Sequence, residues 1–85
     1  MEDFLRHCKT LIEEENLEEL QIVYEEAKGE PFPWEYVYQK LYLHACLKKK
    51  TEIADWMRGL FSQFDPIQQI GIRQMFSYGN YLLRK

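Results

Sequence analysis

A segment near the start of the chain returns in altered form 34 residues later: Leu11-Ile12 followed by Asn16-Leu17-Glu18-Glu19-Leu20 is echoed by Ala45-Cys46 followed by Lys50-Thr51-Glu52-Ile53-Ala54. A period of this length goes with stacked helix-turn-helix units, because one helical hairpin cannot bury its apolar stripe alone and its neighbour completes the core. The echo therefore points to an all-α binding scaffold before it points to an enzyme.

Strand signals are weak. The chain holds no Asn-Gly or Asp-Gly hairpin, and its prolines and glycines punctuate segments of helical period. Phe4, Leu5, Cys8, Leu11 and Ile12 share one helical face and predict a first helix over about 2–14. Leu17, Leu20, Val23, Tyr24 and Ala27 make a second stripe. An unbroken helix at ~100° per residue would set it roughly 110° away from the first. The mismatch argues for a break near Asn16, which can cap a new helix with glutamates in its first turn. The single bent helix over residues 2–28 is the alternative.

Gly29-Glu30-Pro31-Phe32-Pro33 ends the second helix, with Gly29 expected as a left-handed cap. A third helix is predicted from about Trp34 to Lys49, apolar or aromatic nearly all round and therefore central. Thr51 is expected to cap a fourth helix carrying Ile53, Ala54, Trp56, Met57, Leu60 and Phe61. Asp65-Pro66 is an N-cap followed by proline at the first helical position, and a fifth helix follows, with Gly71 and Gly79 as its weak points.

At 85 residues, 46% hydrophobic and 15% aromatic, the chain fills one domain (1–85) and carries more large apolar side chains than so small a core encloses easily. Exposed aromatics mark contact surfaces. Residues 1–30 hold ten acids against Arg6, Lys9 and Lys28, a balance of -7, while residues 31–85 hold four acids against eight bases, a balance of +4. Such polarity favours head-to-tail association or a partner with a charged face. Two cysteines make no disulfide framework, so the expected setting is reducing and cytoplasmic, with passive nuclear entry open to a 10.4 kDa chain. No apolar run approaches the ~18 residues of a transmembrane helix, and no membrane association is expected.

Ala45-Cys46, Thr51-Glu52-Ile53-Ala54 and Trp56-Met57, with Leu11-Ile12, Leu17-Glu18, Leu20 and Ile22-Val23, give a pattern that resembles the ankyrin repeat and its relaxed, viral-style relatives. A truncated third copy is placed at Met75-Phe76 and Gly79-Asn80-Tyr81. The family's Thr-Pro-Leu-His turn is missing, and its turn glycine is replaced by Glu15 in the first copy and Lys49 in the second. The resemblance implies stacked helical units that bind another protein, with no fixed binding residues to carry over. A death-domain-like bundle, ordinarily of six helices, is the alternative fold.

Sites of chemistry are scarce. His7-Cys8 and His44-x-Cys46 contain zinc-ligand types, but His44 and Cys46 lie about 200° apart on a helix and cannot chelate one ion easily. A Cys-His nucleophile pair would need tertiary contact, and neither cysteine sits in a catalytic motif. Glu13-Glu14-Glu15 reads as a solvated turn. No catalytic residue, cofactor or metal is expected.

The sequence thus predicts four or five short helices, arranged as two stacked helical hairpins plus a terminal helix, in a non-enzymatic protein-binding module. An intracellular adaptor and a viral host-interaction protein both fit the degenerate repeats and small size. Phe32, Trp34 and Tyr36, between the two units, are candidate partner-binding aromatics. Ile67, Ile70, Phe76, Tyr78, Tyr81 and Leu82 on the fifth helix, which has no outer partner in the chain, are candidates for self-association as a homodimer. The competing function is nucleic-acid binding through Lys48, Lys49 and Lys50, opposed by the isoelectric point of 5.3 and the acidic first third.

Overall fold

A computed structural model describes residues 1–85 and is all-α, with no strand. The helices are α1 (Glu2–Glu13), α2 (Leu17–Glu26), α3 (Trp34–Leu47), α4 (Thr51–Gly59) and α5 (Pro66–Arg84), and a 3-10 turn (Leu60–Gln63) extends α4. The break before α2 is present: the Asn16 side chain accepts a hydrogen bond from the Glu19 backbone N–H at 3.2 Å. Residues 2–28 therefore form two helices. Asp65 and Gln68 make a reciprocal capping box at the start of α5, with Pro66 in the first turn as the sequence predicts.

The two echoed segments fold into the same turn. Glu15 and Lys49, 34 residues apart, are the only non-glycine residues with positive φ, at 57° and 61°. After α1 the Asn16 N–H reaches the Leu11 carbonyl at 2.9 Å and the Glu15 N–H reaches Ile12 at 3.0 Å. After α3 the Lys50 N–H reaches Ala45 at 2.8 Å and the Lys49 N–H reaches Cys46 at 3.1 Å. Both are Schellman closures, which satisfy carbonyls the helix end would leave open. The next residues, Asn16 (φ −90°, ψ 70°) and Lys50 (φ −91°, ψ 77°), lead into the following helix with nearly identical backbones.

Three local expectations are corrected. Gly29 is not a left-handed cap, since no glycine has positive φ; α2 instead ends at Glu26 through Ala27, whose N–H stays bonded to Val23. Lys50 rather than Thr51 occupies the N-cap of α4, because the left-handed residue one position earlier sets where the new helix starts. The α4 helix stops at Gly59, and Leu60 and Phe61 fall in the 3-10 turn.

α1, α3 and α5 lie side by side in that order, α2 packs on α1 and α4 on α3. The result is a slab of 33 × 32 × 20 Å, two helices thick. The core contains no buried charged or polar side chain. Val37, Tyr38, Leu41, Tyr42, Ala45 and Cys46 on α3 are completely buried, so α3 is the central helix its composition predicts. The Tyr38 hydroxyl donates to the Met57 carbonyl at 2.5 Å, and the Tyr42 hydroxyl accepts from Arg58 Nε at 2.9 Å.

Gly79 is where α5 meets α3. A Cβ there would stand 2.6 Å from Tyr42 Cε2 and 3.0 Å from Cys46 Sγ, whereas one at Gly59 would meet nothing within 4 Å. Gly79→Ala should therefore destabilise the fold by ~1–3 kcal/mol despite its better helix propensity, while Gly59→Ala should be neutral or stabilising, both read from urea unfolding. Equal stability of the two variants would refute the close approach. At Glu15 and at Lys49 glycine should be more stable than alanine by ~1 kcal/mol, because only alanine carries a Cβ into the left-handed region. Thermal or urea midpoints of the four variants check this.

Candidate functional site: the outward face of the last helix

The inner side of α5 is fully used. Ile72, Met75, Gly79 and Leu82 are buried, and Phe76 turns inward with its ring 5.3 Å from those of Tyr42 and Phe61. Of the six candidate residues on this helix, Phe76 and Leu82 thus belong to the packing of the chain itself. The other four face solvent: Ile67 is 83% exposed, Ile70 63%, Tyr78 54% and Tyr81 58%.

These four residues are aligned. At ~100° and 1.5 Å per residue, Ile67, Ile70, Gln74, Tyr78 and Tyr81 fall within about 80° of arc over about 21 Å of helix. Gln74 is also exposed, and no charge lies within the stripe. The Tyr78 and Tyr81 rings are 6.3 Å apart and nearly parallel, at 18°, so half of the stripe is a flat aromatic shelf. Beside it runs a groove of about 250 Å³ lined by Leu43, Leu47, Tyr78 and Leu82 and also by Lys9, Lys40 and His44, so the surface next to the stripe is part apolar and part basic. The exposed Leu47 was not among the sequence candidates. Its signal is its place on the same helical strip as Tyr36 and Lys40, the one side of α3 left in solvent.

The loop aromatics have a different role. Phe32 and Trp34 pack back onto the core in a ring cluster with Phe4 and Tyr24: Phe4–Phe32 centroids are 5.4 Å apart, Phe32–Trp34 5.6 Å and Tyr24–Trp34 5.2 Å. Trp34 Nε1 donates to the Glu30 carbonyl at 3.1 Å. Tyr36 alone of the three is exposed, with Lys40 Nζ 5.4 Å from its ring centroid. Next to the cluster, a cleft of about 330 Å³ is bordered by Tyr24, Trp34 and Phe64 and spanned by a 2.9 Å hydrogen bond from Lys28 to Gln63. Sequence reading gave no sign of this cleft, because its walls come from segments distant in the chain.

The lysine turn is tied into the fold. Lys49 Nζ donates to the Leu82 carbonyl near the end of α5, and Lys50 Nζ lies 2.7 Å from Glu15 Oε1. Only Lys48 of the three has no such contact. His44 Nε2 stands 2.8 Å from Glu13 Oε2. Part of the charge polarity between the acidic start and the basic remainder is thereby taken up within the chain, between adjacent turns.

Neither cysteine is presented for chemistry. Cys8 and Cys46 are buried and not disulfide-bonded. Burial pushes the Cys8 thiol up to about 11 and raises Cys46 as well. No helix is long and apolar enough to cross a membrane. Comparison with protein-family models, curated proteins and solved structures finds no match for this chain.

Burial likewise raises Tyr24, Tyr38 and Tyr42. The folded state therefore holds protons that the unfolded chain releases from its ordinary thiol value of 9.0 upward. Stability should be level from neutral pH to about 9 and fall as pH rises toward about 11, with urea midpoints at pH 7, 9 and 10.5 as the measurement. A midpoint unchanged at pH 10.5 would contradict the burial of these groups.

Proposed function

We propose that this chain is a non-enzymatic protein-binding module whose contact surface is the outward face of α5. One observation carries the reading: four large apolar side chains stand in line on solvent-facing helix surface, each more than half exposed and outside the buried core. Contiguous apolar patches mark interaction sites, and aromatic residues supply much of the binding energy in such sites.

The repeat supports the same reading. Two hairpins with superposable left-handed turns stack through α1 and α3, and α5 extends the row as a third helix. Helical-hairpin stacks of the ankyrin-like kind bind partners along exposed helix and turn surfaces, and each unit exposes apolar surface until a neighbour covers it. A role as an adaptor, in a host cell or from a virus, is consistent with this geometry. The nucleic-acid reading has no comparable observation behind it, since two of its three lysines are engaged elsewhere.

The test is affinity purification from the native cell with mass spectrometry, comparing the wild-type chain with an Ile70→Glu/Tyr78→Glu variant. Both sites are more than half exposed, so the variant should keep wild-type circular dichroism and urea stability. A partner recovered with wild type and lost by at least tenfold with the variant is the expected result. Equal recovery by the two proteins would remove α5 from the interface.

A further inference from the structure

The α5 stripe is nearly a palindrome in space. Counting outward from Gln74, Ile70 and Tyr78 stand four residues to either side, and Ile67 and Tyr81 stand seven to either side. We propose that a second copy of the chain covers this face, the two α5 helices packing antiparallel about a two-fold axis at Gln74. Ile70 then meets Tyr78 of the other copy, Ile67 meets Tyr81, and the two Gln74 side chains meet each other at the axis. This assignment deepens the protein-binding reading and rests on it.

Charge selects the antiparallel arrangement. The N-terminal end of α5 carries Asp65, whose carboxylate also caps its own helix, and the C-terminal end carries Arg84 and Lys85, all exposed. An antiparallel pair sets each acidic end beside a basic one and opposes the helix dipoles. A parallel pair would bring like charges together at both ends.

Head-to-tail stacking is disfavoured as well. The opposite end of the row is α1, whose exposed face is Glu2, Asp3, Arg6, His7, Thr10 and Glu13. Seating the uncharged α5 stripe on that face would strip water from charges that the stripe itself cannot pair, since the α5 bases Arg73 and Arg84 lie outside its arc. Of the two ends of the row, only the α5 end presents an uncharged face, so it matches a second α5 face better than it matches α1, which is the condition for an isologous dimer.

Area bounds the interface. Four exposed apolar side chains and Gln74 offer roughly 400–600 Å² per copy, below the ~800 Å² per partner of a standard interface. An interface of this size falls in the weak, reversible class, and the association is to be sought at micromolar concentrations.

Sedimentation equilibrium from about 5 to 500 μM reads the association directly. Wild type should shift from monomer to dimer in that range, and Ile70→Glu should weaken the association by at least 100-fold. Cysteine variants read the register, since Cys8 and Cys46 are buried. Gln74→Cys should form a disulfide-linked dimer under mild oxidation. Ile67→Cys alone should not, because the two copies of residue 67 would lie about 21 Å apart along the antiparallel pair, whereas Ile67→Cys mixed with Tyr81→Cys should give the mixed dimer. A crosslink by Ile67→Cys with itself, or a wild-type chain that stays monomeric at 500 μM, overturns the proposal. In the monomeric case, a partner lost in the Ile70→Glu/Tyr78→Glu purification assigns the face to a foreign protein; no such loss brings down the underlying reading too.

Discussion

The fold depends on enclosing α3. Its side chains are apolar or aromatic nearly all round, and a helix of that kind is stable in water only when other elements cover most of it; Tyr36, Lys40 and Leu47 mark the one strip left in solvent. α1 covers one flank, α4 the side toward the second layer, and α5 the other flank. The closest of these contacts is the one at Gly79, where the missing side chain lets the α5 backbone settle against the Tyr42 ring. Tyr42 is held there in turn by Arg58, which also reaches Asp55 at 3.1 Å and Asn80 at 2.5 Å. One guanidinium thus links α3, α4 and α5.

The second organising element is the row of chain reversals at one edge of the slab. The turn at Glu15 is joined to the turn at Lys49-Lys50 by the Lys50 ion pair, and Lys49 reaches on to the end of α5. The ion pair is largely exposed at its Glu15 end and is worth only ~0–1 kcal/mol. Its effect is registry more than stability. Each turn stands opposite the next, so the helices of successive units begin at matching heights and their apolar stripes meet.

Much of this was legible in the sequence, and the exceptions have a common cause. The α1–α2 break, the Asp65-Pro66 start of α5 and the central place of α3 are local matters of periodicity and capping. The 34-residue echo brackets both turns; that Glu15 and Lys49 stand where a turn glycine would be expected is what the ankyrin resemblance implies, and they are the two residues of positive φ. Misplaced were the features settled by tertiary contact. Phe32 and Trp34 look like projecting loop aromatics until Phe4 and Tyr24 arrive from other helices to cover them. Lys49 and Lys50 look like a free basic patch until folding brings up Glu15 and the Leu82 carbonyl. On α5 the sequence named six residues for one surface, although at ~100° per residue Phe76 falls opposite the other side chains and Leu82 outside their arc; the structure turns both inward.

That division on α5 separates stability from recognition. Ile72, Met75, Gly79 and Leu82 are already enough to dock the helix, and the outer residues make no contribution to the core. Alternation of lysine and glutamate would serve a solvent-facing stripe better, giving helix-favouring pairs and solubility at no cost in packing. Two isoleucines and two tyrosines stand there instead, on a helix whose other exposed positions include Arg73, Ser77, Asn80 and Arg84. An apolar line on one 80° arc, with polar side chains along one edge and a mixed groove along the other, is what a helix needs to be covered along one edge without being buried all round.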